Sequence, residues 1–495
     1  MQALQHLWLP LVLGAAPLPR AAASDKYYWP GMRGVQEPSK YSVSPYTAPR
    51  NLSNSLAWKW TVPKGRFATV FNGGALIDDQ MNLYTAAVDA IYKLGPDGRH
   101  IWTYHGAFSA VPYLHEGMLL AASKSEGHFI ALSMKTGHLI WSTKVSNNLM
   151  SDISGLGVKD GVLIGCSHPS PSSAGSGGGH SRVTGVNVTS GAWLWDLQPD
   201  SQLWNFMPIF TGEGTFIFQD QIGGIYHVRV ATGERLWRAG YKGGYEETWT
   251  DGLPMVGPNG IAYAMRSNCQ IGRCKPMDPG DVRAYNLSTG ELVWHQDVPY
   301  VPNSQPVAVG QGKDLTLVMP IGLPASLVPI TMLGALWPTL SQFIPLSLYP
   351  YVHMLSLILG PKQYLMWGNY PTPTQVRAYD AATGRVKWTW DPPLWTKACS
   401  AGDEEGFGQR LMWGVQPYCV PNFWASPSVD ARGTIYLGHA SGNIFALRDD
   451  NGDGKIDDSE VSSYDTGAAF GHPGASIAPG MMAIVSCDTV YVFKE

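Results

Sequence analysis

The sequence predicts an all-β, eight-bladed β-propeller of four-stranded blades, its ring closed by an N-terminal strand that joins the C-terminal blade. Three observations carry this. A Gly is followed four residues later by Trp six times, at Gly98/Trp102, Gly137/Trp141, Gly191/Trp195, Gly233/Trp237, Gly290/Trp294 and Gly384/Trp388. Residues 130–141, 183–195, 226–237, 283–294 and 377–388 repeat one text: an alternating strand, a Thr/Ser-Gly turn, then a second strand bearing the Trp. Finally, 56 Gly and 37 Pro among 495 residues argue against a helical bundle or coiled coil, while 44% hydrophobic residues argue against disorder.

In chain order, Leu7–Leu18 is an apolar run of 12 residues, too short to span a bilayer, and Ala21-Ala22-Ala23-Ser24 supplies small residues for cleavage. Residues 1–24 are read as a signal peptide, with an uncleaved or transit segment as the alternative. The expected location is the secretory pathway, extracellular or in an organelle lumen. Residues 25–55 form an N-terminal extension, and the propeller spans 56–495. Upstream of each hairpin lie two more short strands, as at 110–117 and 118–123, or 206–214 and 215–221. Four strands recurring at about 40 residues is the pattern of a blade. The turn glycines stand 39, 54, 42, 57 and 94 residues apart, so the longer steps hold insertions. A seventh unit runs from 434 to 467 with Tyr464 in the Trp role, and 474–495 supplies three more strands. The missing fourth is 56–62, which carries Trp58 and Trp60. Sharing a blade between the two ends leaves no exposed sheet edge, whereas an open solenoid would need caps. The closed ring is read as a monomer.

The pattern Ala-x-Asp-x-x-Thr-Gly-x-x-x-Trp, complete at 378–388, resembles the repeat of the PQQ-type β-propellers. That superfamily holds the quinoprotein alcohol dehydrogenases and also the non-catalytic scaffold lipoprotein of bacterial outer-membrane barrel assembly. The resemblance covers nearly all of 56–495. Arg229 and Ser133 depart from the usual Asp, and Gly185 and His227 from the Ala. It implies that each Trp wedges between neighbouring blades. In the enzymes it implies an axial quinone with calcium, held by Glu, Asn and Asp over a Trp and under adjacent cysteines. No Cys-Cys pair occurs here, which places the chain nearer the scaffold branch. Polar residues at first-strand starts are Asp152, Asn205, Glu246, Glu247, Asp251, Asn303, Trp424 and His472, with Trp249 beside the acidic group. Any propeller mouth carries some polar residues, so none receives a catalytic role. The leading expectation is a non-catalytic binding or scaffold protein. The rival is a PQQ- and calcium-dependent dehydrogenase oxidising an alcohol or sugar.

Asp449–Glu460 matches a twelve-residue EF-hand loop. Asp449, Asn451, Asp453, Asp457 and Glu460 stand at the ligand positions, Gly454 at the sharp turn, and Lys455 offers its carbonyl. Strands flank it, so calcium is expected to clip a hairpin turn as a structural ion. From Leu315 to Pro361, 47 residues contain no Lys, Arg, Asp or Glu. Placed as an insertion over 315–373, this run is broken by Pro too often for a spanning helix. It is expected to dock a protein partner or a membrane surface, or to fold back as a lid. Of six cysteines, Cys269–Cys274 and Cys399–Cys419 read as loop disulfides, and Cys166 and Cys487 as buried thiols; zinc spacing is absent. Asn51, Asn187 and Asn286 head sequons for glycosylation. With 34 basic and 38 acidic residues there is no field to hold nucleic acid.

Overall fold

The computed structural model describes residues 26–495 except 109, 125, 147–148, 150–153, 168–179, 245–246, 251–252, 270–276, 303, 323–372, 397–399, 416–418 and 420–422. Eight four-stranded antiparallel sheets follow one another along the chain. The first blade is Leu76–Ile77, Leu83–Ala86, Ala90–Leu94 and His100–His105. First strands of neighbouring blades touch, as Ile209–Phe210 meets Met255–Val256 and that strand meets Val307–Val309, so they line the axis. The fourth strands alternate exposed and covered positions, as an outer rim must.

Leu56–Trp60 completes the last blade. It pairs antiparallel with Val490–Lys494, setting Lys59 opposite Tyr491 and Trp60 opposite Val490. The sheet thus holds strands from both ends of the chain and seals the ring.

The repeated tryptophans explain why the hairpins recur. Five of the six repeat tryptophans reach the turn of the next blade. The indole N–H of Trp102 donates to Met134 O at 3.1 Å, Trp141 to Val188 O at 3.1 Å, Trp195 to Val230 O at 2.9 Å, Trp237 to Leu287 O at 2.9 Å and Trp294 to Ala381 O at 3.2 Å. Trp58, from the N-terminal strand, does the same to Pro96 O of the first blade at 3.1 Å. Every ring also covers the turn glycine it reaches. A methyl group added at Gly233 would stand 2.5 Å from the Trp195 ring, and φ there is +71°. Gly is therefore required twice over, by conformation and by contact.

Two expectations shift. Cys419 is bonded to Cys487, Cα atoms 5.8 Å apart, and not to Cys399, which lies outside the described residues. The pairing crosses from the loop before the seventh blade to a turn of the eighth, 68 residues on, so Cys487 is no free thiol. Cys269 is disulfide-bonded, its expected partner Cys274 lying outside the described residues. Cys166 is buried among apolar side chains. The apolar run also starts inside the sixth blade: Thr316–Ile321 is its second strand, with Leu317 and Ile321 fully buried, and the residues that follow, 323–372, are not described. Among the described residues no helix is long and apolar enough to cross a membrane.

Candidate functional site

The axis of the ring holds the chain's own N-terminal extension. Residues 29–47 meet, in every blade, the first strand, the residue just before it or the turn that follows it. Trp29 exchanges backbone hydrogen bonds with Ile77 at 3.0 and 2.9 Å; Pro30 O accepts from Leu114 N at 2.8 Å; Gln36 Nε2 donates to Leu156 O at 2.8 Å. The Tyr41 hydroxyl accepts from Phe210 N. Arg33 reaches Pro254 O at 3.5 Å and also Pro306 O. Ser44 N donates to Val429 O at 2.8 Å, and Thr47 O accepts from Gly480 N at 3.0 Å. Only a segment on the axis can touch eight blades within so few residues.

Arg33 is the unusual member. Its guanidinium is fully buried, its Nε donating to Ser42 Oγ at 3.1 Å, and burial lowers its pKa to about 10. Ser42 holds a left-handed backbone at φ +58°, a strained conformation for a residue with a Cβ. No motif announced these residues. Arg33 and Tyr41 sit in an aperiodic stretch, and only the surrounding blades give them meaning.

Toward the outside, the same segment forms a pocket of about 380 Å³ walled by Tyr27, Tyr28, Trp29 and Tyr46, with Lys40 at its edge. Tyr28 and Tyr46 meet edge to face, centroids 5.3 Å apart. Lys40 pairs with Glu37 at 3.0 Å. Such walls suit a planar or apolar group.

Of the residues expected at first-strand starts, Asp152, Glu246, Asp251 and Asn303 lie outside the described residues. Glu247 is exposed and accepts from the Tyr241 hydroxyl. Trp249 is buried edge-on to Trp204, centroids 5.9 Å apart. Asn205 is buried in a left-handed conformation, φ +47°. Trp424 is packed, not open: its indole N–H donates to Ile321 O at 3.3 Å and its ring lies 4.4 Å from His439. His472 is buried, and its carbonyl accepts from Ser426 N at 2.9 Å and Ser426 Oγ at 2.8 Å. Burial drives the pKa of both His439 and His472 down to about 3, so both rings are neutral at pH 7.

Sequence reasoning missed Gln305 and Gln221. Gln305 Oε1 accepts from Ser426 Oγ at 2.5 Å, while its buried Nε2, like both amide ends of buried Gln221, has no partner among the described residues. Buried amides of this kind are met by water or a polar ligand. Among the described residues no three His, Cys, Asp or Glu side chains converge to hold a metal ion. The described axial donors are amides, hydroxyls and neutral rings, while the acidic candidates Asp152, Glu246 and Asp251 lie outside the described residues.

The Asp449–Glu460 loop is wound by its own side chains. Asp449 accepts from Gly452 N at 2.7 Å and Gly454 N at 2.9 Å, Asn451 from Asp453 N at 2.8 Å, and Asp453 from Lys455 N at 2.8 Å. Glu460 Oε1 accepts from Asp450 N at 2.7 Å and Asn451 N at 3.2 Å, and its Oε2 from Asp457 N at 3.0 Å. These backbone donors hold the Glu460 carboxyl below the usual carboxylate range. Asp450 faces outward to Arg448 at 2.6 Å and to Arg50, which ties the N-terminal extension to the loop.

The family described as outer membrane protein assembly factor BamB matches residues 53–252, and the β-propeller domain of glucose/ethanol/alcohol dehydrogenases matches 341–459. The chain is a PQQ-type repeat β-propeller. Among solved structures, this PQQ-type propeller is similar to BamB from Moraxella catarrhalis, at 13% identity and a TM-score of 0.54 over 89% of this chain and 99% of that one. It is similar also to the quinohemoprotein alcohol dehydrogenase of Comamonas testosteroni, at 12% identity and a TM-score of 0.57 over 96% of this chain and 81% of that one. The quinohemoprotein alcohol dehydrogenase ADHIIG of Pseudomonas putida HK5 gives 11% identity and a TM-score of 0.57, over 94% and 80% of the respective chains. Identities this low establish the shared fold alone. No curated protein matches the PQQ-type propeller.

Proposed function

We propose that this PQQ-type propeller is a non-catalytic binding or scaffold protein of the secretory pathway. The observation that carries the reading is the occupied axis. On the axis, where the quinoprotein enzymes hold their cofactor, this chain lays residues 29–47, which together hydrogen-bond to all eight blades. The match of residues 53–252 to the family described as outer membrane protein assembly factor BamB supports the same reading. A protein partner or a membrane surface would dock on the face where long segments leave the blades. Residues 168–179, 270–276 and 323–372 all depart between second and third strands, an end they share with the blade-to-blade connections.

Calcium belongs to this proposal as a structural ion. Asp449, Asn451, Asp453, Asp457, Glu460 and the Lys455 carbonyl are oxygen donors of the type calcium takes, and the loop backbone already curls round their side chains.

The alternative, a PQQ- and calcium-dependent dehydrogenase of an alcohol or sugar, is separated by one experiment. Purified protein is incubated with PQQ and calcium and assayed for dye reduction with an alcohol and sugar panel. No reduction above a protein-free blank is expected; substrate-dependent turnover would overturn the scaffold reading.

A further inference from the structure

Five hairpin turns between third and fourth strands share one construction. The residue four before the turn Gly receives the glycine N–H on its carbonyl, at 2.8 Å from Gly137, Gly191, Gly290 and Gly384 and 2.9 Å from Gly233. In the sixth blade that residue is Asp380, whose Oδ1 also takes Ala382 N at 3.1 Å and Thr383 N at 2.9 Å. In the third and fifth blades it is Asn187 and Asn286, both sequon asparagines. Asn187 Oδ1 takes Thr189 N at 3.1 Å and Ser190 N at 3.0 Å; Asn286 Oδ1 takes Ser288 N at 2.9 Å and Thr289 N at 3.1 Å. The turn consumes the oxygen only. Each Nδ2 has no acceptor among the described residues, so the nitrogen that glycosylation uses is the one the fold leaves over.

The same two blades have an apolar outer edge. Two and three residues beyond the turn Gly stand Trp193 and Leu194, 43% and 46% exposed, and Leu292 and Val293, both 49% exposed. The strand register places Val186 opposite Trp193 and Tyr285 opposite Leu292, so each pair begins beside its sequon asparagine. The fourth and sixth blades, with Arg229 and Asp380 in place of Asn, set a charged residue in the corresponding pair, Arg235 and Lys387. The second blade has Ser133 there and leaves Leu139 and Ile140 bare.

We propose that Asn187 and Asn286 carry N-linked glycans that lie over the apolar outer edge of their own blades. This rests on the secretory reading above. The donor is an oligosaccharide on a polyprenyl diphosphate. The Asn Nδ2 loses one proton and bonds to the sugar C1 as the C1–O bond to diphosphate breaks, with no change of oxidation state. Covering exposed apolar side chains with sugar removes a surface that would otherwise favour association.

The test expresses the full chain in a eukaryotic secretory host and reads intact mass, site occupancy by peptide mapping, and retention on a hydrophobic column. The comparison is the double variant Asn187→Asp/Asn286→Asp, which keeps the turn acceptor that Asp380 already provides. The expected result is two occupied sites lost, an unchanged melting temperature, and later elution. A secreted wild type bare at Asn187 and Asn286 overturns the glycans alone. Occupied sites whose loss leaves retention unchanged overturn the covering role. A chain that keeps its leader and is not exported overturns this inference and the secretory reading together, and leader removal tells those cases apart.

Discussion

At the scale of single residues, burial decides what each group can do. His439 lies against Trp424, with Nδ1 on Ser441 Oγ at 2.8 Å and Nε2 on Thr374 Oγ1 at 3.4 Å. Its folded pKa of about 3 lies below the ordinary 6.5. The unfolded chain therefore takes up this proton first, and stability present above pH 6.5 is lost as pH falls toward 3. Asp220 and Asp403, raised by burial to about 6, act in the opposite sense and regain stability as pH falls through that value. His439→Gln should thus narrow the gap between unfolding free energies at pH 7.5 and pH 5 by about 2 kcal/mol, read by urea titration at both values. An unchanged gap would mean the ring titrates normally. Residue roles were the least legible part of the sequence. Trp424 and His472 could be named as polar-mouth candidates, but whether a side chain faces the axis or packs behind it depends on neighbours over a hundred residues away. Arg33 could not be named at all.

At the scale of elements, the hairpin was fully legible because one geometric demand recurs. A left-handed turn under the preceding blade's indole needs Gly, and the same hairpin must carry, at a fixed interval, the indole for the blade that follows, so the pair prints itself into the sequence six times. Asp449–Glu460 was legible for a similar reason, since loop positions dictate oxygen donors. In the structure Asp449 caps two amides of that loop and Glu460 three. Asp449→Ala should lower the melting temperature without calcium, by an amount equivalent to about 1–3 kcal/mol, and abolish the upward shift that calcium produces in the wild type. Scanning calorimetry across a calcium series checks both. A wild-type curve indifferent to calcium would leave the loop as a self-capped turn. The disulfide shows where such reading stops. Cys419 and Cys487 are joined by tertiary proximity, and spacing in sequence favoured the nearer Cys399 instead.

At the scale of the whole molecule, blade number and ring closure followed from counting strands, but the filled axis did not. Residues 26–50 have neither repeat nor alternation, and their apolar members take on a role only when eight first strands surround them. Removing residues 27–50 from the chain should raise amide hydrogen exchange in the first strands of all eight blades while the outer strands keep their protection. Exchange altered only in the seventh and eighth blades would show a local tether in place of an axle. The same segment walls the pocket of Tyr27, Tyr28, Trp29 and Tyr46, which is thus built wholly outside the repeat.

The strand Leu56–Trp60 finds its partner only in Val490–Lys494. On a ribosome that interval is more than 400 residues of synthesis, as the span from Trp60 to Val490 shows. Through that delay an amphipathic strand bearing two tryptophans waits with its hydrogen bonds unmade, and the eighth blade is the last to exist. The ring therefore cannot close before Val490–Lys494 has been made.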